Sequence, residues 1–161
     1  REQLAQAGPR RILASQPEGL VLSNGPGDPA VLEDAIALAR ELIGKLPTLG
    51  ICLGHQLAAL ALGGKTVKLP FGHHGGNHPV RDNKSGELWI TAQNHGFAVE
   101  LESLPEGAVA THTNLYDGTL EGFSLAEERL LAVQFHPEAG PGPSDAQAIF
   151  DRFVSLLGSR G

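Results

Sequence analysis

Residues 48–64 read TLGICLGHQLAALALGG: a short apolar run, a cysteine between two glycines, and a longer apolar run that two more glycines close. Thr48 to Cys52 predicts a strand and Leu53 to Leu62 a helix, ended where Gly63-Gly64 frees the backbone. The junction Gly50-Ile51-Cys52-Leu53-Gly54 has the G-x-nucleophile-x-G form. Its glycines let the chain turn sharply from strand into helix, leaving the central side chain on a strained elbow at the helix N-terminus. There, unpaired N–H groups and the helix dipole favour a thiolate, and the N–H of Leu53 is placed to bind an oxyanion. A free cysteine is more often a small buried hydrophobe. Glycines on both sides of it, at such a junction, favour the nucleophile.

Upstream, residues 1–16 have helical composition, but Gly8-Pro9 should break or kink a helix there. Gly19 to Ser23 predicts a strand that runs into the turn residues Asn24-Gly25-Pro26-Gly27-Asp28-Pro29. Asp28-Pro29 reads as an N-cap followed by proline at the first helical position. Val31, Leu32, Ala35, Ile36, Ala39, Leu42 and Ile43 then recur at helical spacing. Downstream, Lys65–Leu69, Leu88–Ala92, Ala108–Thr113 and Leu120–Ser124 predict an antiparallel meander, and Leu130–Phe135 a further strand. Ser144 to Gln147 has capping-box spacing, before a closing helix whose face is Ile149, Phe150, Phe153, Val154 and Leu157 and which Gly158 ends. This order indicates an α/β fold with a mostly parallel sheet, helices on both faces and a small antiparallel meander. In such folds sites form at the carboxyl ends of strands, where loops 24–28, 52–56 and 136–138 would converge.

A thiolate nucleophile needs a base and a group to orient the base. Gln134-Phe135-His136-Pro137-Glu138 offers both. If the strand stays extended, residues two apart share a face, so Glu138 can bond one imidazole nitrogen of His136 and leave the other for Cys52. The 23–29 loop is too glycine-rich for a simple connector, and Gly25 or Gly27 can present a second oxyanion donor. It lacks the Lys-Ser/Thr ending of a phosphate-binding loop, which excludes nucleotide binding there. Phe71-Gly72-His73-His74-Gly75-Gly76-Asn77-His78 invites a metal reading. No metal is expected, because no neighbouring carboxylate completes a ligand set; a conformationally special binding or interface loop fits better. Gln93 to Phe97 reads as another polar loop with a purpose.

A chain of 161 residues suits one domain with a useful core. Its net charge of -6 disfavours nucleic acid as a partner, and the Arg10-Arg11 pair reads as a solvated turn. No apolar run is long enough to span a bilayer, so no membrane role is expected. One cysteine makes no internal disulfide, which points to a reducing cytoplasm. The sequence contains no methionine, so it is expected to be a piece of a longer chain. No internal repeat divides it.

Gly50-Ile51-Cys52-Leu53-Gly54-His55-Gln56 and His136-Pro137-Glu138 resemble the two signature motifs of the class I glutamine amidotransferases. LSNGPGDP (22–29), FGHHGGNHPV (71–80), ITAQNHGFAV (90–99) and HPEAGPGPSDA (136–146) narrow the likeness to carbamoyl phosphate synthase small subunits, over residues 17 to 157. The resemblance implies a flavodoxin-like fold and a triad of Cys52, His136 and Glu138. It implies that Gly25, Gly27, Leu53, Gln56, Asn94, Gly96 and Phe97 hold L-glutamine, with Leu53 and a glycine of the 25–27 loop as oxyanion donors. Ammonia would pass to a large subunit that makes carbamoyl phosphate from bicarbonate and ATP, for arginine and pyrimidines. This chain would need no cofactor of its own; ATP and Mg2+ belong to the large subunit. Residues 1–161 would be one amidotransferase domain lacking its first strand-helix-strand and the family's separate N-terminal domain. Two alternatives are the glutaminase of another pathway, such as anthranilate synthesis, and a degenerate regulatory or assembly domain. The 71–80 and 90–99 stretches argue against the first and a complete triad against the second.

Overall fold

The computed structural model describes residues 8–139 and 147–158. The first helix among the described residues, α1 (Pro9–Ala14), starts where the sequence predicts a break: Gly8 is the N-cap and Pro9 occupies the first turn. Proline is harmless there because its missing N–H would be unpaired anyway. β1 (Leu20–Leu22) follows. Asp28 then caps as expected, its Oδ1 accepting from Ala30 N at 2.9 Å, but what it caps is only a 3-10 turn, Pro29–Val31. The chain leaves helical geometry at Leu32 (φ -93°, ψ 56°), and α2 (Glu33–Leu42) begins after it. Val31, counted in the helix by its spacing, is 71% exposed. Glu33 and Asp34 in the first turn and Arg40 in the last suit the dipole of this later start.

β2 (Thr48–Ile51) runs into α3 (Leu53–Ala61), as the quoted stretch predicts. β3 (Thr66–Asp82) and β4 (Leu88–Val99) form a long antiparallel hairpin. The stretches 71–78 and 93–97, expected as loops, lie inside these strands. Register shifts between Lys68 and His73 and between Gly75 and His78 mark β-bulges, with Gly72 (φ 68°) and Gly75 (φ 117°) in left-handed backbone there. β5 (Val109–Asn114), β6 (Leu120–Leu125) and β7 (Leu130–Val133) complete one seven-stranded sheet in the order β1-β2-β7-β6-β5-β3-β4. Among the described strands, β1-β2-β7 pair in parallel and the remaining strand pairs are antiparallel. The fold is therefore α/β with a mixed sheet, its parallel part leading into Cys52.

Alternation along β7 sorts the core into two layers. Leu130 and Ala132 pack with Ala39, Ala58 and Phe123, beneath α2 and α3. Leu131 and Val133 pack with Leu49, Ile51, Phe135, Ile149 and Phe153, beneath α4 (Gln147–Leu157) on the other face. Val154, placed on that face by its spacing, is instead 61% exposed. Most of the proposed capping box, residues 144–146, lies outside the described residues.

The elbow glycines are fixed by contact. A Cβ on Gly50 would lie 2.8 Å from the Gly54 carbonyl oxygen, and one on Gly54 would overlap the Leu22 carbonyl. α3 thus sits directly against β1, so Gly54→Ala is expected to cost about 3 kcal/mol of stability. The measurement is the urea midpoint; a loss below about 1 kcal/mol would show that helix and strand separate easily there.

Candidate active site

The backbone at Cys52 is in a left-handed conformation (φ 53°, ψ -105°) that non-glycine residues rarely adopt. Cys52 N donates to Val133 O at 2.9 Å, which ties the elbow to β7. Such strain at a single cysteine between strand and helix is the elbow geometry of a nucleophile. Cys52 is 2% exposed. Its thiol points at the Asn94 carbonyl oxygen (3.9 Å), and Gln134 Nε2 donates to the sulfur at 3.7 Å.

Burial pushes the Cys52 thiol up to about 11; the Leu53 N–H and Gln134 amide oppose this, while the Glu138 and Glu121 carboxylates add to it. Burial thus works against the thiolate that the helix terminus favours. Desolvation outweighs what the Leu53 N–H supplies, which favours the protonated thiol at neutral pH.

His136 is an imidazole on the same cavity as Cys52. Its backbone N–H donates to Ala92 O at 2.9 Å, and its Nδ1 donates to Glu138 Oε1 at 2.8 Å, which leaves Nε2 as an acceptor. The pair arises differently from the sequence expectation. β7 ends at Val133, the chain bends through Gln134 and Phe135, and Pro137–Ala139 form a 3-10 turn. His136 and Glu138 meet around this turn, not along an extended strand. Among the described residues, His136 makes no direct hydrogen bond to Cys52. The two share the wall of one cavity of about 900 Å³.

That cavity gathers most of the residues read from the sequence. Gly25 and Gly27 line it from the 24–28 loop, and Gly27 (φ 98°) has a backbone that requires glycine. Gln56, Asn94, Gly96 and Phe97 line it as well. Leu53 and Glu138 do not, acting on it only through the Leu53 N–H and the His136 ring. Gln56 is 2% exposed, and its Nε2 donates to Phe97 O (2.9 Å) and to Gln134 Oε1 (3.0 Å). Gln134 is therefore a supporting residue the sequence reading missed: anchored by Gln56, it presents its own amide to the sulfur. Asp28, Lys68, His74 and His95 also reach the cavity, and His74 Nδ1 bonds Asn94 Oδ1 at 2.9 Å. Only the fold brings Lys68 here; nothing in the sequence around it signals a site.

An elbow cysteine, a carboxylate-held imidazole and a glycine-rich loop around one cavity, on an α/β sheet, define an amidotransferase-type site. The chain belongs to the class I glutamine amidotransferase family, whose pattern, "Glutamine amidotransferase class-I", it matches over residues 4–156. Among individual proteins it is similar to the carbamoyl phosphate synthase small chain of Ralstonia nicotianae, 52% identical over 157 residues, covering 97% of this chain and 42% of that protein. It is equally similar to the chloroplastic small chain of Arabidopsis thaliana, 52% identical over 145 residues, covering 90% of this chain and 34% of that one. The chain thus spans well under half the length of these relatives. Among solved structures, a candidate GMP synthase protein from Thermoplasma acidophilum superposes with a TM-score of 0.73 at 25% identity, covering 87% of this chain and 72% of that one. A glutamine amidotransferase from Thermotoga maritima gives 0.63 at 26%, covering 85% and 61%.

Proposed function

We propose that the chain is the glutaminase part of a carbamoyl phosphate synthase small subunit. Cys52 attacks the side-chain carboxamide of L-glutamine while His136 Nε2 takes the thiol proton and delivers it to the leaving ammonia. Leu53 N–H and a backbone N–H of the 25–27 loop hold the tetrahedral oxyanion. Water, deprotonated by His136, then hydrolyses the glutamyl thioester to glutamate, with Glu138 orienting the imidazole in both halves. The observation that carries the reading is the strained backbone of Cys52 (φ 53°), opening on the same cavity as an imidazole held by Glu138 at 2.8 Å. Lys68 and Asp28, at the same cavity, supply opposite charges for the carboxylate and ammonium of a free amino acid.

Identity of 52% to small chains, against 25–26% to the other amidotransferase structures, favours this pathway over anthranilate synthesis or another glutaminase. The ammonia would pass to a large subunit that holds ATP and Mg2+, with the carbamoyl phosphate serving arginine and pyrimidine synthesis. Residues 1–161 would act as one domain. A reducing compartment suits the thiol, and we place the chain in the cytoplasm, although the Arabidopsis relative is a chloroplastic protein. No described helix is long and apolar enough to cross a membrane.

A glutamine analogue bearing an electrophilic carbonyl in place of the carboxamide tests the reading. It is expected to label the chain once, at Cys52, with glutamine protecting. Labelling that glutamine does not slow, or that maps to a histidine, would overturn it.

A further inference from the structure

The histidines of the 71–78 stretch and of 93–97 do more than line a hairpin. His73 in β3 and His95 in β4 are directly paired across the strands, with His73 Nδ1 and His95 Nε2 3.2 Å apart. Each ring has its other nitrogen committed outward. His73 Nε2 donates to Asp117 Oδ2 at 2.7 Å, and His95 Nδ1 donates to Phe97 O at 2.8 Å. Those bonds place a proton on His73 Nε2 and on His95 Nδ1 and leave His73 Nδ1 and His95 Nε2 facing each other. Two oxygens face the same point: Glu121 Oε1, 3.5 Å from His73 Nδ1, and Gln93 Oε1, 2.7 Å from His95 Nε2. Glu121 is fully buried, and its second oxygen has no partner among the described residues.

Four acceptor atoms therefore gather around one buried point, where Asn114 Nδ2 donates to Glu121 Oε1 at 2.8 Å from outside the cluster and the second Glu121 oxygen has no partner among the described residues, an arrangement suited to a positive charge at its centre. We propose that His73, His95 and Glu121, with Gln93 as fourth donor, form a divalent-cation site, best suited to Zn2+. Zinc–nitrogen and zinc–oxygen bonds of about 2.0–2.2 Å require tetrahedral edges near 3.3 Å; the 3.2 and 3.5 Å spacings match, whereas the Gln93 oxygen, 2.7 Å from His95 Nε2, must draw back to make room for the ion. The outward bonds to Asp117 and to the Phe97 carbonyl are the supports that metal-ligating histidines use to fix ring and tautomer. Charge agrees: two neutral imidazoles, the Glu121 and Asp117 carboxylates and a divalent cation sum to zero in a largely buried cluster. Along the chain no carboxylate stands near the histidines; the fold supplies Glu121 from β6 and Asp117 from the turn before it. The ion would pin β3, β4 and β6 together behind His95, which itself reaches the cavity. Its role is structural and independent of whether the chain hydrolyses glutamine.

The competing occupant is a proton: hydrogen bonds to Glu121 and Asp117 raise His73 to about 9 despite its burial. Zinc titration separates the two. The full chain carrying Cys52→Ala, which removes the thiol as a rival ligand, is stripped with chelator and titrated with Zn2+ against a chromophoric competitor. Bound metal is counted by elemental analysis. One ion per chain is expected, and Co2+ in its place should give the visible bands of a tetrahedral nitrogen–oxygen site without sulfur-to-metal charge transfer. Glu121→Gln should abolish the site, while Asp117→Asn, which leaves all four donors and changes only an outer support, should weaken it about 10–100-fold. Absence of stoichiometric binding in the Cys52→Ala chain would assign the cluster to a proton. Equal affinity in the Asp117→Asn and parent chains would place the ion elsewhere. Either result overturns the proposal.

Discussion

Cys52→Ala is expected to remove glutamine hydrolysis, by a factor on the order of 10⁴ or more, while leaving ammonia-dependent synthesis by the assembled enzyme intact. The asymmetry follows from where the sulfur sits. The Cys52 sulfur faces the cavity and the Gln134–Asn94 wall, so under the proposed mechanism its loss takes away the atom that would form the thioester while the backbone contacts of the elbow remain. The fold should tolerate the change. Alanine keeps the Cβ, adds no bulk at the elbow, and gives up one buried sulfur, a cost of about 1 kcal/mol. Glutamate release and the denaturation midpoint are the two measurements. Loss of ammonia-dependent synthesis together with hydrolysis would make Cys52 a structural residue. Residual hydrolysis within a hundredfold of the parent would give the thioester to another group.

The elbow was legible because its requirement is local. Gly50 flanks Cys52 for a steric reason that holds within a few residues, since its side chain would strike the Gly54 carbonyl, whereas Gly54 answers to the more distant Leu22 carbonyl of β1. The partnership of His136 and Glu138 was legible in spacing, although a turn rather than a strand brings them together. The protonation state of Cys52 was not legible. It depends on how completely the hairpin and Gln134 cover the sulfur, and that covering comes from residues distant in sequence. The polar stretches 71–78 and 93–97 read as loops because bulges interrupt the alternation that identifies a strand. Once folded, they place His73 and His78 inside and Phe71 at 94% exposure, a half-buried pattern visible only with the bulges known. Asp28-Pro29 misled in the other direction. A correct cap and a correct proline start only a 3-10 turn when Leu32 departs from helical angles.

Removing the base has a consequence that removing the nucleophile does not. With Cys52 held up to about 11, the proposed reaction would depend at neutral pH on proton transfer in concert with attack, with His136, on the same cavity, taking the proton. His136→Asn is therefore expected to slow thioester formation about 10²–10⁴-fold at pH 7.5, the usual worth of a positioned base. What remains should depend on thiolate formed beforehand. Its fraction rises about tenfold per pH unit until pH approaches the thiol's own value, so the variant should regain activity steadily from pH 7 to 10. The parent, which does not wait for free thiolate, should show no such climb. Glu138→Gln should fall between the two, since an amide oxygen at 2.8 Å still accepts from Nδ1 but carries no charge to steady the imidazolium. Rates of glutamate release against pH for the three proteins decide the matter. A His136→Asn rate within tenfold of the parent, or parallel pH profiles, would mean that the proton leaves Cys52 by another route. In that case the buried thiol, rather than the imidazole, would be the wrongly understood half of the pair.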